Sequence, residues 1–261
     1  MNNTQLKMFH LLKDLKENHG VIGIKAEFEA EGTRINELTA LSEVVYRAGS
    51  EIFLKIGGCE AVSDIDLSRF YGVKGVIAPM IETPFALKKF AGAIKKVYGN
   101  EQIDGTQFLI NIETKTGYEN IDDILSAPEM DLMDGAIIGR VDLSASYGYD
   151  RKEIESDKIY CVCRDVLEKL KAKNKVAGIG GAISNDTILT LKKLEGIIDR
   201  AETRKIIFDV SGGPEKLQSG LSKAIEFEYL YILNLADLYG KMSKENEVRL
   251  QMLKARIDAL R

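Results

Sequence analysis

The chain has 261 residues, 45% of them hydrophobic, and sets 36 Lys and Arg against 40 Asp and Glu, for a formal net charge of −4. That balance leaves no basic excess for a nucleic-acid partner, and no apolar run approaches the roughly 18 residues of a membrane span. With four prolines and no break in composition to mark a linker, a single domain over residues 1–261 is expected.

The first twenty residues, MNNTQLKMFHLLKDLKENHG, place Leu6, Phe9 and Leu12 at helical spacing, interrupted by Lys7, Lys13, Asp14, Lys16 and Glu17, and stop at Gly20. The pattern is that of an amphipathic helix and lacks the unbroken apolar centre of a signal peptide. Short runs rich in Val, Ile and Phe then recur near residues 21–29, 51–57, 74–81, 107–113, 134–141, 175–180, 196–200 and 205–210, eight candidate strands. Helical periods lie between most of them, at 34–48, 59–70, 83–98, 119–128, 151–173 and 184–194, with Ser184 or Asn185 placed to cap the last. Strand and helix alternating in this way predict parallel strands and a closed (β/α)8 TIM barrel. One joint does not fit. Residues 201–204 alone separate GIIDR from KIIFD, too few for a parallel crossover, so one run lies outside the barrel or the barrel closes irregularly there.

Beyond residue 213 the pattern is helical to the end, giving extra C-terminal helices over 214–261. Pro214 in FDVSGGPEKL suits the first helical position, and a helix N-terminus near a barrel rim also suits phosphate. Ser243 is a candidate N-cap for the last helix, where Leu250, Leu253, Ile257 and Leu260 form a narrow apolar seam. That seam packs on the chain's own barrel or on another subunit, and a homo-oligomer is expected. Cys59, Cys161 and Cys163 are an odd number, the last two facing different sides of a helix. A reduced, cytoplasmic setting without a cysteine metal site follows as an expectation.

Chemistry in a parallel barrel sits at the C-terminal ends of the strands, so polar residues in phase there are the candidates. Lys25, Glu27 and Glu29 share one face of GIKAEFEAEG; Lys55 is followed by Gly57 and Gly58, which let a ligand approach the backbone. Glu82 ends VIAPMIET, Asn111 and Glu113 are in phase in FLINIET, and Arg140 and Asp142 in AIIGRVDLS. Glu113 and Asp142, from consecutive strands, can hold a hard divalent cation such as Mg2+ or Mn2+, which needs only one or two carboxylates besides water and substrate oxygens. Solvated acids, helix caps and plain salt bridges are the alternatives. Glu202 and Arg204, in the short charged joint, either line a site or pair at the surface.

The ordered set IKAEFEAEG, LKIGG, GVKGVIAPMIET, NIETKTGYENIDDI and DGAIIGRVDLSASYG, spanning residues 21–195, resembles the HpcH/HpaI aldolase and citrate lyase beta-subunit family. The resemblance implies a TIM barrel, oligomers that share a C-terminal helix, a Mg2+-type cation, and carbon–carbon bond making or breaking beside pyruvate, oxaloacetate or an acyl-CoA. It matches the metal glutamate to Glu113 and the metal aspartate to Asp142. The sequence also departs from that pattern. Lys55 stands for a carboxylate-holding arginine, giving a point charge for a bidentate fork; Ala30 stands for the histidine base; Met80 replaces a lysine and Arg140 a proline. His10 and His19 precede the first strand and are no substitutes.

The expected activity is therefore a metal-dependent lyase or aldolase acting through a metal-stabilised enolate of pyruvate or a related 2-oxo acid, with an aldehyde or acyl partner. Lys55 or Arg140 would hold the carboxylate, and Glu29, Glu27 or metal-bound water would move the proton. Substrate contacts are expected from Lys25, Glu27, Gly57, Gly58, Glu82 and Asn111. Rival readings are a Schiff base on Lys25 or Lys55, a phosphoenolpyruvate-type substrate, and a non-catalytic barrel that binds a small anion or serves assembly.

Overall fold

A computed structural model describes residues 1–99, 105–239 and 244–260; Ser243, read above as a cap, lies outside them. Eight strands close a barrel in sequence order: β1 (Val21–Glu27), β2 (Ile52–Lys55), β3 (Gly75–Ala78), β4 (Gln107–Ile112), β5 (Gly135–Gly139), β6 (Val176–Gly180), β7 (Arg200–Glu202) and β8 (Ile206–Asp209). The helices are α1 (Asn3–Asn18), α2 (Ile35–Arg47), α3 (Val62–Tyr71), α4 (Pro84–Tyr98), α5 (Lys115–Glu119), α6 (Ile121–Ser126), α7 (Arg140–Ser146), α8 (Asp157–Ala172), α9 (Thr187–Lys193), α10 (Glu215–Tyr239) and α11 (Lys244–Leu260). Among the described residues no helix is long and apolar enough to cross a membrane.

The joint that resisted a parallel crossover is a hairpin. Strands β1 to β7 pair in parallel, whereas β8 runs antiparallel to both β7 and β1. The turn is closed by Thr203, whose amide donates to the Ile206 carbonyl at 2.9 Å while its hydroxyl accepts from the Ile206 amide at 2.9 Å. Reversal delivers this turn to the rim where β1 to β7 end, and it sends the chain out of β8 at the opposite rim, where Arg200 pairs with Asp209. The N-terminus of α10 therefore lies at the rim away from the strand ends, which removes it as a phosphate site, and its helix begins one residue after Pro214. Ser184 and Asn185 do not cap α9 with their side chains; the N-cap position is Asp186, without a side-chain bond.

The barrel is filled according to the strand period of two. Phe53, Ile77, Leu109 and Ile207 form a closed apolar plug in the lumen. Phe53 occupies so much of it that a Cβ on Gly75 would fall 2.3 Å from its ring. Outward-facing residues of the barrel strands, such as Ile24, Leu54, Val76 and Ile110, join the helices in one large core. Helix α10 lies along α1, and α11 returns over the strand-end rim with Leu253 fully buried and Ile257 nearly so. Two residues of the seam of the last helix, Leu253 and Ile257, are thus buried within the chain, and Leu250 and Leu260 are half-buried.

Candidate active site

Above the plug the same inward positions turn from apolar to charged. Lys25 and Glu27 on β1, Lys55 at the end of β2, Asn111 on β4 and Glu202 on β7 all line one cavity of about 240 Å³, with Glu29, Ala30, Glu113 and Asp142 from the loops and helix starts above them. Lys25 Nζ lies 3.3 Å from Glu27 and 3.4 Å from Glu202. Lys55 Nζ lies 2.8 Å from Glu29 and 3.3 Å from Glu113. Glu113 also accepts from Asn111 Nδ2 at 2.9 Å and from the Met80 amide at 3.0 Å. Met80 holds φ at 47°, a left-handed conformation uncommon for a residue with a side chain. That turn points its amide at the carboxylate.

Burial opposes the charge on Lys25, but Glu27 and Glu202 outweigh it and raise the ammonium above its ordinary range. Lys55 follows the same logic, with Glu113 and Glu29 prevailing over burial. Both lysines are held protonated, which counts against either as a Schiff-base nucleophile. Burial works against Glu27 too, yet Lys25, Lys205 and Lys55 hold it below the carboxylate range. Glu113 goes the other way. Burial pushes its carboxyl up, and Asp142 adds to this against Lys55, Asn111 and the Met80 amide.

The cavity floor itself is short of positive charge: Glu27, Glu29, Glu113, Asp142 and Glu202 line it with Lys25 and Lys55, while Lys205 and Arg204 act on Glu27 from beside it. Two buried acceptors in it, Asn111 Oδ1 and Glu202 Oε1, have no hydrogen-bond partner, and an acceptor without a donor is costly in a dry site. An acidic oxygen set of this kind fits a hard divalent cation. Among the described residues no three His, Cys, Asp or Glu side chains cluster as a complete protein cage. A cation here would complete its shell with water and substrate oxygens.

Four of the sequence-predicted residues lie elsewhere. Arg140 is not in phase with Asp142 on a strand, because β5 stops at Gly139 and helix α7 starts at once. Its guanidinium is 1% exposed and turned away from the cavity, donating to Glu155 at 2.8 Å, the Gly181 carbonyl at 3.0 Å and Thr187 at 3.3 Å. Asp142, two residues further round the first helical turn, faces the cavity. Glu82 accepts from the Thr114 hydroxyl at 2.7 Å, locking the loop after β4. Gly57 donates to Asp64 at 2.7 Å, and neither it nor Gly58 lines the cavity.

The structure adds residues that strand phase does not mark. Glu202 and Arg204 of the charged joint both line the cavity, with Arg204 donating to Glu31 at 2.9 Å. Lys205 is buried beneath the Tyr231 ring, 4.1 Å from its centroid, and pairs with Glu31. Arg151, Glu228, Arg249 and Arg256 come from the 3-10 turn Arg151–Glu155 and from α10 and α11. Only the docking of those helices brings them to the mouth, so no local sequence signal identifies them.

Comparison with known proteins agrees with this arrangement. A hydroxypyruvate/pyruvate aldolase from Roseobacter denitrificans is 30% identical over 130 residues, 41% of this chain and 49% of that protein. A 2-keto-3-deoxy-L-rhamnonate aldolase from Klebsiella pneumoniae is 38% identical over 81 residues, 31% of this chain and 29% of that protein. The matched region thus spans half or less of these curated relatives. Crystal structures of an HpcH/HpaI aldolase from Desulfitobacterium hafniense (TM-score 0.61, 16% identity, 87% of this chain and 88% of that one) and of an HpcH/HpaI aldolase/citrate lyase family protein from Burkholderia cenocepacia (TM-score 0.59, 15% identity, 76% and 83%) share the fold. The family profile for HpcH/HpaI aldolase/citrate lyase matches residues 24–206, the stretch from β1 to the start of β8 that builds the acidic cavity floor. On that match, the chain belongs to the HpcH/HpaI aldolase/citrate lyase family.

Proposed function

We propose that this protein is a divalent-metal-dependent carbon–carbon lyase, an aldolase that joins pyruvate or a related 2-oxo acid to an aldehyde and catalyses the reverse cleavage. One observation carries the reading: Glu113 and Asp142, from the ends of consecutive strands, enter the same cavity beside Lys55, in a floor short of positive charge. Glu113 and Asp142 would hold Mg2+ or Mn2+, whose Lewis acidity stabilises negative charge developing on the keto oxygen.

The chain's own groups supply the rest. Lys55, an ammonium kept charged by its acidic neighbours, holds the substrate carboxylate; Arg140, spent on Glu155 and Thr187, does not take that role. Glu29, beside Lys55 and partly open to the cavity, removes a proton from C3. Carbon C3 then bonds to the aldehyde carbon, and the aldehyde oxygen takes up a proton to give a 4-hydroxy-2-oxo acid. Cleavage runs these transfers backwards. Asn111 fixes Glu113, and Lys25 with Glu27 and Glu202 sets the charged floor beneath.

Exchange of the pyruvate methyl protons in D2O, followed by NMR, tests this. Exchange is expected with Mg2+ or Mn2+, is abolished by EDTA, and is lost in a folded Asp142→Asn variant. Exchange that ignores EDTA, or a fully active variant, would overturn the metal-dependent reading.

A further inference from the structure

Seven residues, 28–34, connect β1 to α2 and carry Glu29 and Ala30 to the cavity. The Phe28 amide donates to the Lys55 carbonyl at 2.8 Å and the Thr33 amide to the Glu27 carbonyl at 3.2 Å. Between those two bonds, among the described residues, the backbone of 29–32 makes no hydrogen bond to other backbone groups. Side chains hold this stretch instead. Glu29 pairs with Lys55 at 2.8 Å. Glu31, two residues on, pairs with Lys205 and accepts from Arg204 Nε at 2.9 Å, both cations coming from the turn between β7 and β8.

Lys205 is a fixed point. Its carbonyl accepts from the Lys25 amide of β1 at 2.7 Å, and its buried ammonium lies under the Tyr231 ring of α10. Burial opposes that charge, but Glu31, with Tyr231 and Glu27 behind it, prevails and raises the ammonium above its ordinary range. Glu29 has no comparable anchor. In the reaction proposed above Lys55 holds the substrate carboxylate, and an ammonium has three donors to divide among that carboxylate, Glu113 and Glu29. Its grip on Glu29 weakens when substrate binds, at the moment when Glu29 must lie over C3. A misplacement of about 1 Å costs on the order of a hundredfold in rate.

We infer that Glu31, gripped by Lys205 and Arg204, is a positioning residue that keeps Glu29 over C3 of the substrate while Lys55 holds the carboxylate. This rests on the aldolase reading above. The reversed β8 then does more than close the barrel: its turn carries the two cations that fix the loop bearing the base.

The test compares two routes to one enolate in the full-length, Mg2+-loaded enzyme. Methyl-proton exchange of pyruvate in D2O needs a base at C3: Glu29 takes the proton, and the electron pair of the C–H bond enters the enolate. Decarboxylation of oxaloacetate needs none, because the C3–C4 bond breaks, its electron pair enters the same enolate and carbon dioxide leaves. The ratio of exchange to decarboxylation should fall about tenfold or more in Glu31→Gln. It should fall less in Lys205→Met, where Arg204 still holds Glu31, and recover in part in Glu31→Asp. A general loss of folded enzyme lowers both reactions and leaves the ratio unmoved. Where an unpaired Lys205 unfolds Glu31→Gln, the double variant with Lys205→Met removes the buried charge together with its partner and must show the same fall. Hydrogen exchange of the double variant without substrate should quicken at residues 29–32 and not along β1. An active wild type whose ratio survives in the double variant, or a loop that exchanges no faster, overturns the inference alone. A wild type that exchanges no methyl protons overturns the aldolase reading and this inference with it.

Discussion

Glu113 owes its position to a residue with no side chain. A Cβ built on Gly139 would lie 2.4 Å from Glu113 Oε2, closer than any contact that neighbouring atoms tolerate. Gly139→Ala is therefore expected to displace the carboxylate and to weaken Mg2+ binding and activity by about tenfold or more, while circular dichroism stays native; unchanged Mg2+ affinity would show that the carboxylate is not a ligand. Arg140 teaches the opposite lesson. Its charge at a strand end looked functional, yet the guanidinium is buried and answered by Glu155. Glu155→Gln leaves that charge uncompensated and should cost about 3 kcal/mol in urea unfolding at pH 7. Burial alone would raise the Glu155 pKa, but Arg140, Thr190 and Thr187 hold it below the usual carboxyl range. Folding thus lowers this pKa, so the stabilisation is complete above the unfolded value of about 4.3 and is lost as the pH falls through the lower folded value. The gap between wild type and Glu155→Gln should accordingly narrow as the pH is taken from 5 to 3, and a constant gap would refute the assignment.

At the level of elements, the strands were legible because their apolar runs are short and regularly spaced, and Glu27 on β1 and Glu113 just past β4 followed from the period of two. Two features were not. Helix α7 follows β5 with no intervening loop, so a strand phase carried past Gly139 put Arg140 on the wrong side. The shortness of residues 201–204 did reveal that a parallel crossover was impossible, but not that the answer was a reversed strand, since strand direction is set by partners far away in sequence. The seam on α11 was equally legible, and its partner was not: Leu253 and Ile257 bury against the chain itself. Leu253→Ala should weaken the docking of α11 by about 2–3 kcal/mol. The expected reading is faster hydrogen exchange confined to residues 244–260; faster exchange through the barrel strands instead would show that α11 is not a separable strap.

Seen as a whole, a nearly neutral composition conceals a strong internal order. The chain's net charge of −4 says nothing of an acidic floor beneath an arginine mouth. That separation arises because the floor comes from β1, β2, β4 and β7 and the start of α7, whereas Arg249 and Arg256 of the mouth come from α11, which follows the barrel in the sequence. Anything bound to the folded floor stabilises the whole molecule by mass action. Millimolar Mg2+ is thus expected to raise the thermal midpoint of the wild-type protein, and not that of Glu113→Gln; an equal rise in both would place the cation elsewhere.

The reversed β8 has a further consequence, for the order in which the chain acquires its structure. In a fully parallel barrel the last two strands must each be fetched across a helix and fitted separately. Here β7 and β8 are neighbours through a three-residue turn, a unit that can assemble locally on the microsecond scale. The remaining seam, β8 against β1, joins segments from almost opposite ends of the sequence and bears the slow, long-range search. Barrel closure in this protein is then the docking of one ready-made ribbon, and substitutions in the Thr203 turn should slow refolding more than they hasten unfolding.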